Sequence, residues 1–396
     1  MINMTNIFSL LLMLYIASVI VFKQNYMIVA HTIDLLMIGL FVLLVLKERS
    51  IRTNPIINIY FAFMIFSLLS SLWAISFDET SFKSLQMFII VINLLVIYNL
   101  MMTFNIKDFY MKGILLGSFI NYIIVLGLVV VPFDIVKGER FFGTLGNPND
   151  LAVFMLISIF ISTIYLFDNK SEKRWFYYYQ YINILLALYM ILLTVSKKGI
   201  IFGSLLFLAY IAISLKSKEG IKRIFLLSII GTIIVFFFID WGEVNKYFEN
   251  VLYRFDAFSS ALDDRGGMNN STEIRKQLIS FGLLAFQGEP LFGYGLGNFR
   301  FISGGQYAHN NFVELLVGVG LIGFFIFYLM YAYLFYILFR IVKIESDLKK
   351  LFLIFLSILL GMDAALVSYG DKTTMYLLVF MYVYILQELI KDRTLK

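Results

Sequence analysis

The run DLAVFMLISIFISTIYLF, residues 150–167, carries one charge, at its first position, and contains neither proline nor glycine. As a helix it would be about 27 Å long, close to the ~30 Å hydrocarbon core of a bilayer. Comparable runs fall at 5–22, 27–46, 56–76, 83–104, 113–132, 177–195, 199–215, 223–240, 311–339, 350–369 and 373–390. Together they predict twelve spans, of which 311–339 is long enough to tilt or to begin outside the bilayer. Hydrophobic residues make up 61% of the chain and charged residues 15%, against about 25% in globular proteins. A soluble domain is excluded, and the fold class expected is an all-α polytopic membrane protein. Pro55, Pro132, Pro148 and Pro290 sit at span ends or in loops, which predicts unbroken helices. The first run lacks a basic n-region and a small-residue cleavage site, so it reads as a retained span. Cysteine is absent, which removes disulfides and thiolate chemistry.

Basic residues set the orientation. With both termini cytoplasmic, the inward loops hold Lys47, Arg49, Arg52, Lys107, Lys112, Lys170, Lys173, Arg174, Lys216, Lys218, Lys222 and Arg223, and the pattern continues to the C-terminal tail. The short outward loops hold fewer, which is the positive-inside asymmetry. The net charge of +6 is therefore mostly a topology signal, and a nucleic-acid partner has no separate support.

Most connections are short. Two outward ones are not: Phe133–Asn149, and Trp241–Asn310 at roughly seventy residues. The expected organisation is helices one to nine over 1–240, an extracytoplasmic loop domain over 241–310, and helices ten to twelve over 311–396. Within the loop, Glu243–Phe258 reads as an amphipathic surface helix and Asp263–Ser271 as a turn. Ser271–Gln287 reads as a second helix. Gly288–Gly305, with six glycines, reads as a flexible, lid-like segment.

Candidate chemistry gathers beside this loop. His309 precedes Asn311-x-x-Glu314, a capping-box pattern that predicts a helix start just after the histidine. First-turn amides there favour a neutral imidazole, a general base for a hydroxyl. The competing reading is a polar interfacial residue without chemistry. Lys137, Arg140, Lys197, Lys198, Arg254, Arg265, Arg275, Lys276 and Arg300 all project outward, where the topology rule gives no reason for them. Such a cluster suits a lipid-linked phosphate or pyrophosphate, with exposure to water or headgroups as the alternative for about half of them. Arg140 leads into Gly146-Asn147-Pro148-Asn149-Asp150, and Ser196-Lys197-Lys198-Gly199 forms an outer hairpin. Both are ordinary capping sequences that also make anion sites. His31, Asp34 and Asp363 lie inside spans, where ionisable groups are candidates by default. For His31 and Asp34 an internal hydrogen-bonded pair is the favoured reading. Asp263-Asp264 reads as a solvated turn before a metal site. No Walker loop, dinucleotide fingerprint or zinc spacing is present.

In order, these segments resemble the O-antigen polymerase/ligase superfamily of bacterial envelope enzymes. The resemblance rests on a dozen spans, Arg140…Gly146-Asn147-Pro148-Asn149, Ser196-Lys197, and Pro290-Leu291-Phe292-Gly293-x-Gly295-x-Gly297-Asn298-Phe299. His309-Asn310 and Gly320, with ten residues between the histidine and that glycine, complete it. It implies a GT-C-like membrane glycosyltransferase at the outer face of the bacterial cytoplasmic membrane, using no cofactor and no metal. The donor and acceptor implied are undecaprenyl-pyrophosphate-linked oligosaccharides, with membrane lipid and a chain-length regulator as further partners. His309 would be base or orienting group and Arg275 would bind pyrophosphate. Arg140, Asn147, Asn149, Lys197, Lys198, Arg265, Arg300 and Asn310 would complete substrate binding. Two departures stand: the family's arginine-x-x-x-leucine appears as Arg275…Ile279, and Lys197 replaces a commoner arginine. A repeat-unit polymerase is the leading expectation, a ligase the nearest rival, and a lipid-linked oligosaccharide flippase the alternative of another class.

Overall fold

The computed structural model describes residues 4–22, 27–48, 51–131, 134–137, 140–168, 174–238, 249, 271–341 and 347–390. Its helices are α1 (Met4–Val21), α2 (Met27–Glu48), α3 (Pro55–Leu69), α4 (Phe77–Phe104), α5 (Lys107–Val125), α6 (Pro148–Asp168) and α7 (Arg174–Leu193). There follow α8 (Lys197–Ser214), α9 (Lys218–Phe238), α10 (Ser271–Gly288), α11 (Phe299–Ile302), α12 (Asn311–Tyr336), α13 (Asp347–Met362) and α14 (Lys372–Tyr384). Two-residue strands β1 (Val136–Lys137) and β2 (Arg140–Phe141) pair antiparallel, with Lys137 opposite Arg140. A helix covers each of the twelve apolar runs. Among the described residues, seven helices (α3 to α8, and α12) are long and apolar enough to cross a membrane. The expected surface helix at Glu243–Phe258, apart from residue 249, and the turn at 263–270 lie outside the described residues.

Helix starts follow capping chemistry. Asn54 accepts from Ile57 N (3.0 Å) with Pro55 behind it, and Ser76 accepts from Glu79 N (3.3 Å). Asp371 accepts from Thr374 N (2.9 Å). Each side-chain oxygen satisfies an amide that has no partner within its own helix.

The chain divides into two compact units. The first comprises Met1–Ile33, Asp108–Asp256 and Ile344–Ile358. Its centre is α6, apolar on every face and buried along nearly its whole length, as such a helix must be. A Cβ added at Gly199 of α8 would stand 2.7 Å from the Ala152 Cβ, so the small residue is what lets α8 approach α6. Phe160 stacks on Phe355 with centroids 3.9 Å apart. Polar side chains join α5, α6 and α7: Ser118 donates to Ser158 (2.7 Å), Asn183 donates to Ser158 (2.9 Å) and Ser162 (2.8 Å), and Tyr122 donates to Asn183 (2.9 Å). Such bonds are worth about 0.6 kcal/mol each in a bilayer, so here they act mainly to fix register.

The second unit comprises Asp34–Lys107, Ala257–Lys343 and Leu359–Lys396. Here the expectation of unbroken helices fails. Within α12, Gly320 has φ 63° and ψ −169°, so the helix is interrupted one third of the way along. The freed backbone groups are taken up by the segment preceding the helix. Leu321 N donates to Pro290 O (2.9 Å), Ile322 N to Leu291 O (3.3 Å), and Tyr294 N to Val317 O (2.8 Å). A Cβ at Gly320 would lie 2.3 Å from the Leu291 carbonyl, and one at Gly293 2.6 Å from Val317 O. Glycine is needed at both positions for space as well as for positive φ. The glycine-rich segment is therefore no lid. It fills the break, and residues 295–299 are buried.

The same segment is strapped to the start of α4. Ile75 N donates to Tyr294 O (3.1 Å), Ser76 N to Asn298 Oδ1 (2.7 Å), and Asn298 Nδ2 to Thr80 Oγ1 (2.6 Å). The amphipathic α10 then covers α12. Leu278 packs in one buried cluster with Phe299, Ala308, Val313 and Val317, and Gly282 admits the Val313 side chain.

Gly320→Ala should destabilise the detergent-purified protein by roughly 1–3 kcal/mol, read as a fall in Tm. Gly39→Ala is the control: it sits in α2 with nothing within 4 Å of the added Cβ. It should be neutral or stabilising by up to about 1 kcal/mol.

Candidate functional site

Two polar clusters stand out, one in each unit. In the second unit the cluster surrounds His309. The helix start falls where the sequence placed it, but the cap is one residue earlier: Asn310, not Asn311, accepts from Val313 N (3.1 Å). Asn310 Nδ2 donates onward to Ala364 O (3.1 Å). Glu314 sits one position beyond a capping box. Its Oε2 accepts instead from Ala308 N (2.9 Å), although the residue is only 4% exposed. Residues on both sides of His309 are thus held, and His309 itself adopts φ 53°. A non-glycine residue in the left-handed region costs on the order of 1–3 kcal/mol and persists only when its surroundings over-determine it. The Tyr307 ring lies 3.8 Å from the imidazole, centroid to centroid.

Behind the cap lies a buried network. Asn311 N donates to Asp363 O (2.7 Å), and its Oδ1 accepts from Ser368 N (3.0 Å) and Tyr369 N (3.2 Å). Its Nδ2 donates to Tyr328 OH (2.9 Å), which in turn donates to Asp363 Oδ2 (3.0 Å). These bonds tie the first turn of α12 to the 363–371 connection. Asp363 therefore has a structural role that accounts for its burial. Asp34 is similar: it accepts from Asn93 Nδ2 (3.1 Å) and from the Lys372 ammonium. His31 is exposed.

The expected cations fall as follows. Arg275 lies one turn before Leu278 and shares its helix face with Leu278 and Ile279, the face packed toward α12. Arg300, on α11, donates to Glu79 Oε2 at 2.5 Å, so its charge is matched by an acid that the sequence reading did not weigh. Lys83 carries no site signal in the sequence either. A Cβ at Gly297 would meet Lys83 Cγ at 3.2 Å and Glu79 Cγ at 3.4 Å, so both line the glycine segment. Glu79 and Lys83 look like an ordinary i,i+4 helix pair in sequence. Only the fold brings them to this segment.

In the first unit, the cluster gathers at two helix starts. Arg140 Nε donates to Thr194 O (3.0 Å) and its Nη2 to Asn149 Oδ1 (3.4 Å). Asn149 Oδ1 also accepts from Ser196 Oγ (3.0 Å), while Asn149 N donates to Asn147 Oδ1 (2.8 Å). Ser196 caps α8, accepting from Gly199 N (3.4 Å), and Lys197 and Lys198 form that helix's first turn. The preceding Val195 has φ 47°, a strained value for a β-branched residue. Arg140, Asn147, Asn149, Lys197 and Lys198 are thus brought to one place around the starts of α6 and α8. Lysines at a helix start oppose the dipole, whereas an anion there is favoured by dipole, amides and lysines together. Arg254, Arg265, Asp263 and Asp264 lie outside the described residues. Among the described residues, no group of three or more histidine or acidic side chains could hold a metal ion.

Residues 182–328 match the family model described as O-antigen ligase. The match runs from α7 to the middle of α12 and takes in Lys197, Lys198, Arg275, Arg300, His309 and Gly320. It supports the O-antigen polymerase/ligase superfamily, a glycosyltransferase-like group whose substrates are lipid-linked glycans. With the apolar helices it points to a bacterial membrane protein. No curated protein matches the chain.

The hold on Ala308 has a direct test. Glu314→Gln keeps an acceptor for the Ala308 amide and should leave Tm near wild type. Glu314→Ala leaves that buried amide without an acceptor and should cost roughly 1–3 kcal/mol.

Proposed function

We propose, taking an O-antigen polymerase/ligase superfamily membrane protein as the premise, that this chain polymerises oligosaccharide repeat units carried on undecaprenyl pyrophosphate. The reaction takes place at the outer face of the cytoplasmic membrane, on a GT-C-like scaffold of a dozen spans with cytoplasmic termini. The observation that carries the reading is His309, held left-handed between Ala308 and Asn310 at a helix start, beside a cluster to which α10 contributes Leu278.

The chemistry needs few parts. The acceptor hydroxyl gives its proton to His309, and its oxygen attacks the anomeric carbon of the donor sugar. The bond from that carbon to the pyrophosphate oxygen breaks, and the lipid pyrophosphate leaves with the electron pair. Attack in line with the departing oxygen inverts the anomeric centre. Pyrophosphate is already a good leaving group, so the protein's main contribution is cationic stabilisation of the charge that develops on it. Arg275 takes that role. In the first unit, Arg140, Asn147, Asn149, Lys197 and Lys198 at the paired helix starts suit a lipid-linked phosphate. Arg265 and Arg300 serve substrate binding, and Asn310 holds the His309 turn. Positioning the hydroxyl supplies the remainder of the rate. No metal enters this scheme.

The matched description favours a second reading, in which the same donor chemistry moves a finished glycan onto a different acceptor. Host glycans separate the two. In a polymerase, His309→Ala and Arg275→Ala should lower activity by at least about 10²-fold, leaving single repeat units on the carrier and no ladder. In a ligase, long chains should instead accumulate on the carrier. Wild-type ladders from both variants at normal protein levels would remove these residues from the site. Chelation of the purified enzyme should leave its activity intact; a loss restored by Mg²⁺ would reopen a role for Asp263 and Asp264.

A further inference from the structure

We propose that the exposed rim Arg300–Tyr307 is the acceptor-sugar subsite, with Tyr307 as the face on which a hexose ring lies. The proposal rests on His309 acting on a sugar hydroxyl. A base must come within about 2.6–3.2 Å of the hydroxyl it deprotonates. The ring bearing that hydroxyl must then touch whatever flanks the imidazole. What flanks it is Tyr307, with ring centroids 3.8 Å apart and the planes inclined at 39°.

Tyr307 is 48% exposed, and Phe301, on the same rim, is equally so. Between them the chain turns through Gly304 (φ 73°) and Gly305 (φ 95°), and a Cβ at either would meet nothing within 4 Å. The rim keeps its shape through Gly305 N donating to Arg300 O (2.7 Å) and Ser303 Oγ donating to Gln306 O. The Arg300 guanidinium lies over the Phe301 ring at 5.0 Å and is itself held by Glu79. Flat apolar faces, a guanidinium and open space over two glycines form one chemical pattern. A pyranose has one face of C–H groups and a perimeter of hydroxyls, and this rim offers a partner for each. Tyrosine supplies such a face with little side-chain freedom to lose.

Interfacial aromatics also anchor membrane proteins in the headgroup layer, so the test must separate sugar contact from anchoring. The probe is the lipid-free repeat-unit oligosaccharide of the native glycan, titrated onto detergent-purified protein, alongside turnover with lipid-linked donor and acceptor. Tyr307→Ala and Tyr307→Leu should weaken oligosaccharide binding and raise the acceptor KM, each roughly tenfold. Donor KM should stay within about twofold, and Tyr307→Phe should behave as wild type. His309→Ala should still bind the oligosaccharide while losing turnover. If His309→Ala turns over normally but Tyr307→Ala no longer binds, the catalytic reading falls and the subsite stands. The subsite is overturned by an unchanged acceptor KM in Tyr307→Ala, by no saturable binding to wild type, or by variants whose only defect is a lower membrane level.

Discussion

A backbone amide or carbonyl freed inside a membrane helix has no water to turn to, and each unmet group costs several kcal/mol. The break at Gly320 frees such groups about one third of the way along α12, and the Pro290–Tyr294 backbone meets them. Much of the second unit follows from that arrangement. Because Leu291 and Tyr294 are fixed in the break, Leu296 and Asn298 are fixed against Ser76 and Thr80. That contact brings Arg300 to Glu79 and sets the position from which the rim leads to His309. The broken helix is thus a socket. A continuous one would have left the glycine segment without hydrogen-bonding partners of this kind.

The two polar clusters use the same local device. In each, a strained left-handed residue stands immediately before a polar helix cap: Val195 before Ser196, and His309 before Asn310. The sharp reversal turns the chain from a loop into a helix within one residue. In the first unit lysines and Arg140 stand at that start; in the second an imidazole does. The anion-binding and proton-transfer roles proposed for the two clusters thus call on different side chains and one backbone design.

Helix positions were largely legible in the sequence, because hydrocarbon-length apolar runs have one stable backbone answer in lipid. So were the helix starts after Asn147 and Ser196, since capping residues announce them, but not the contact of Arg140, Asn149 and Ser196. The break at Gly320 was not legible: a glycine in an apolar run looks like a packing residue, and the segment that fills the gap lies some thirty positions earlier. For the same reason six glycines suggested mobility, when Gly293 among them supplies close approach to the Val317 carbonyl. The cap fell on Asn310 instead of Asn311 because two adjacent asparagines offer the same chemistry and tertiary bonds to Asp363 and Ala364 choose between them. Glu79 and Lys83 escaped notice because their partners are more than two hundred residues away, on the glycine segment.

The Asp34–Lys372 pair has a consequence for how the protein is made. Asp34 is buried on an early helix, and its cationic partner follows 338 residues later. At synthesis rates of about 5–20 residues per second, that partner leaves the ribosome roughly 17–70 s after the aspartate. Throughout that interval the carboxylate lacks the lysine it meets in the folded protein. A chain that stops short of Lys372 never supplies that lysine, so the cost of a truncation near the C-terminus falls on a helix close to the N-terminus.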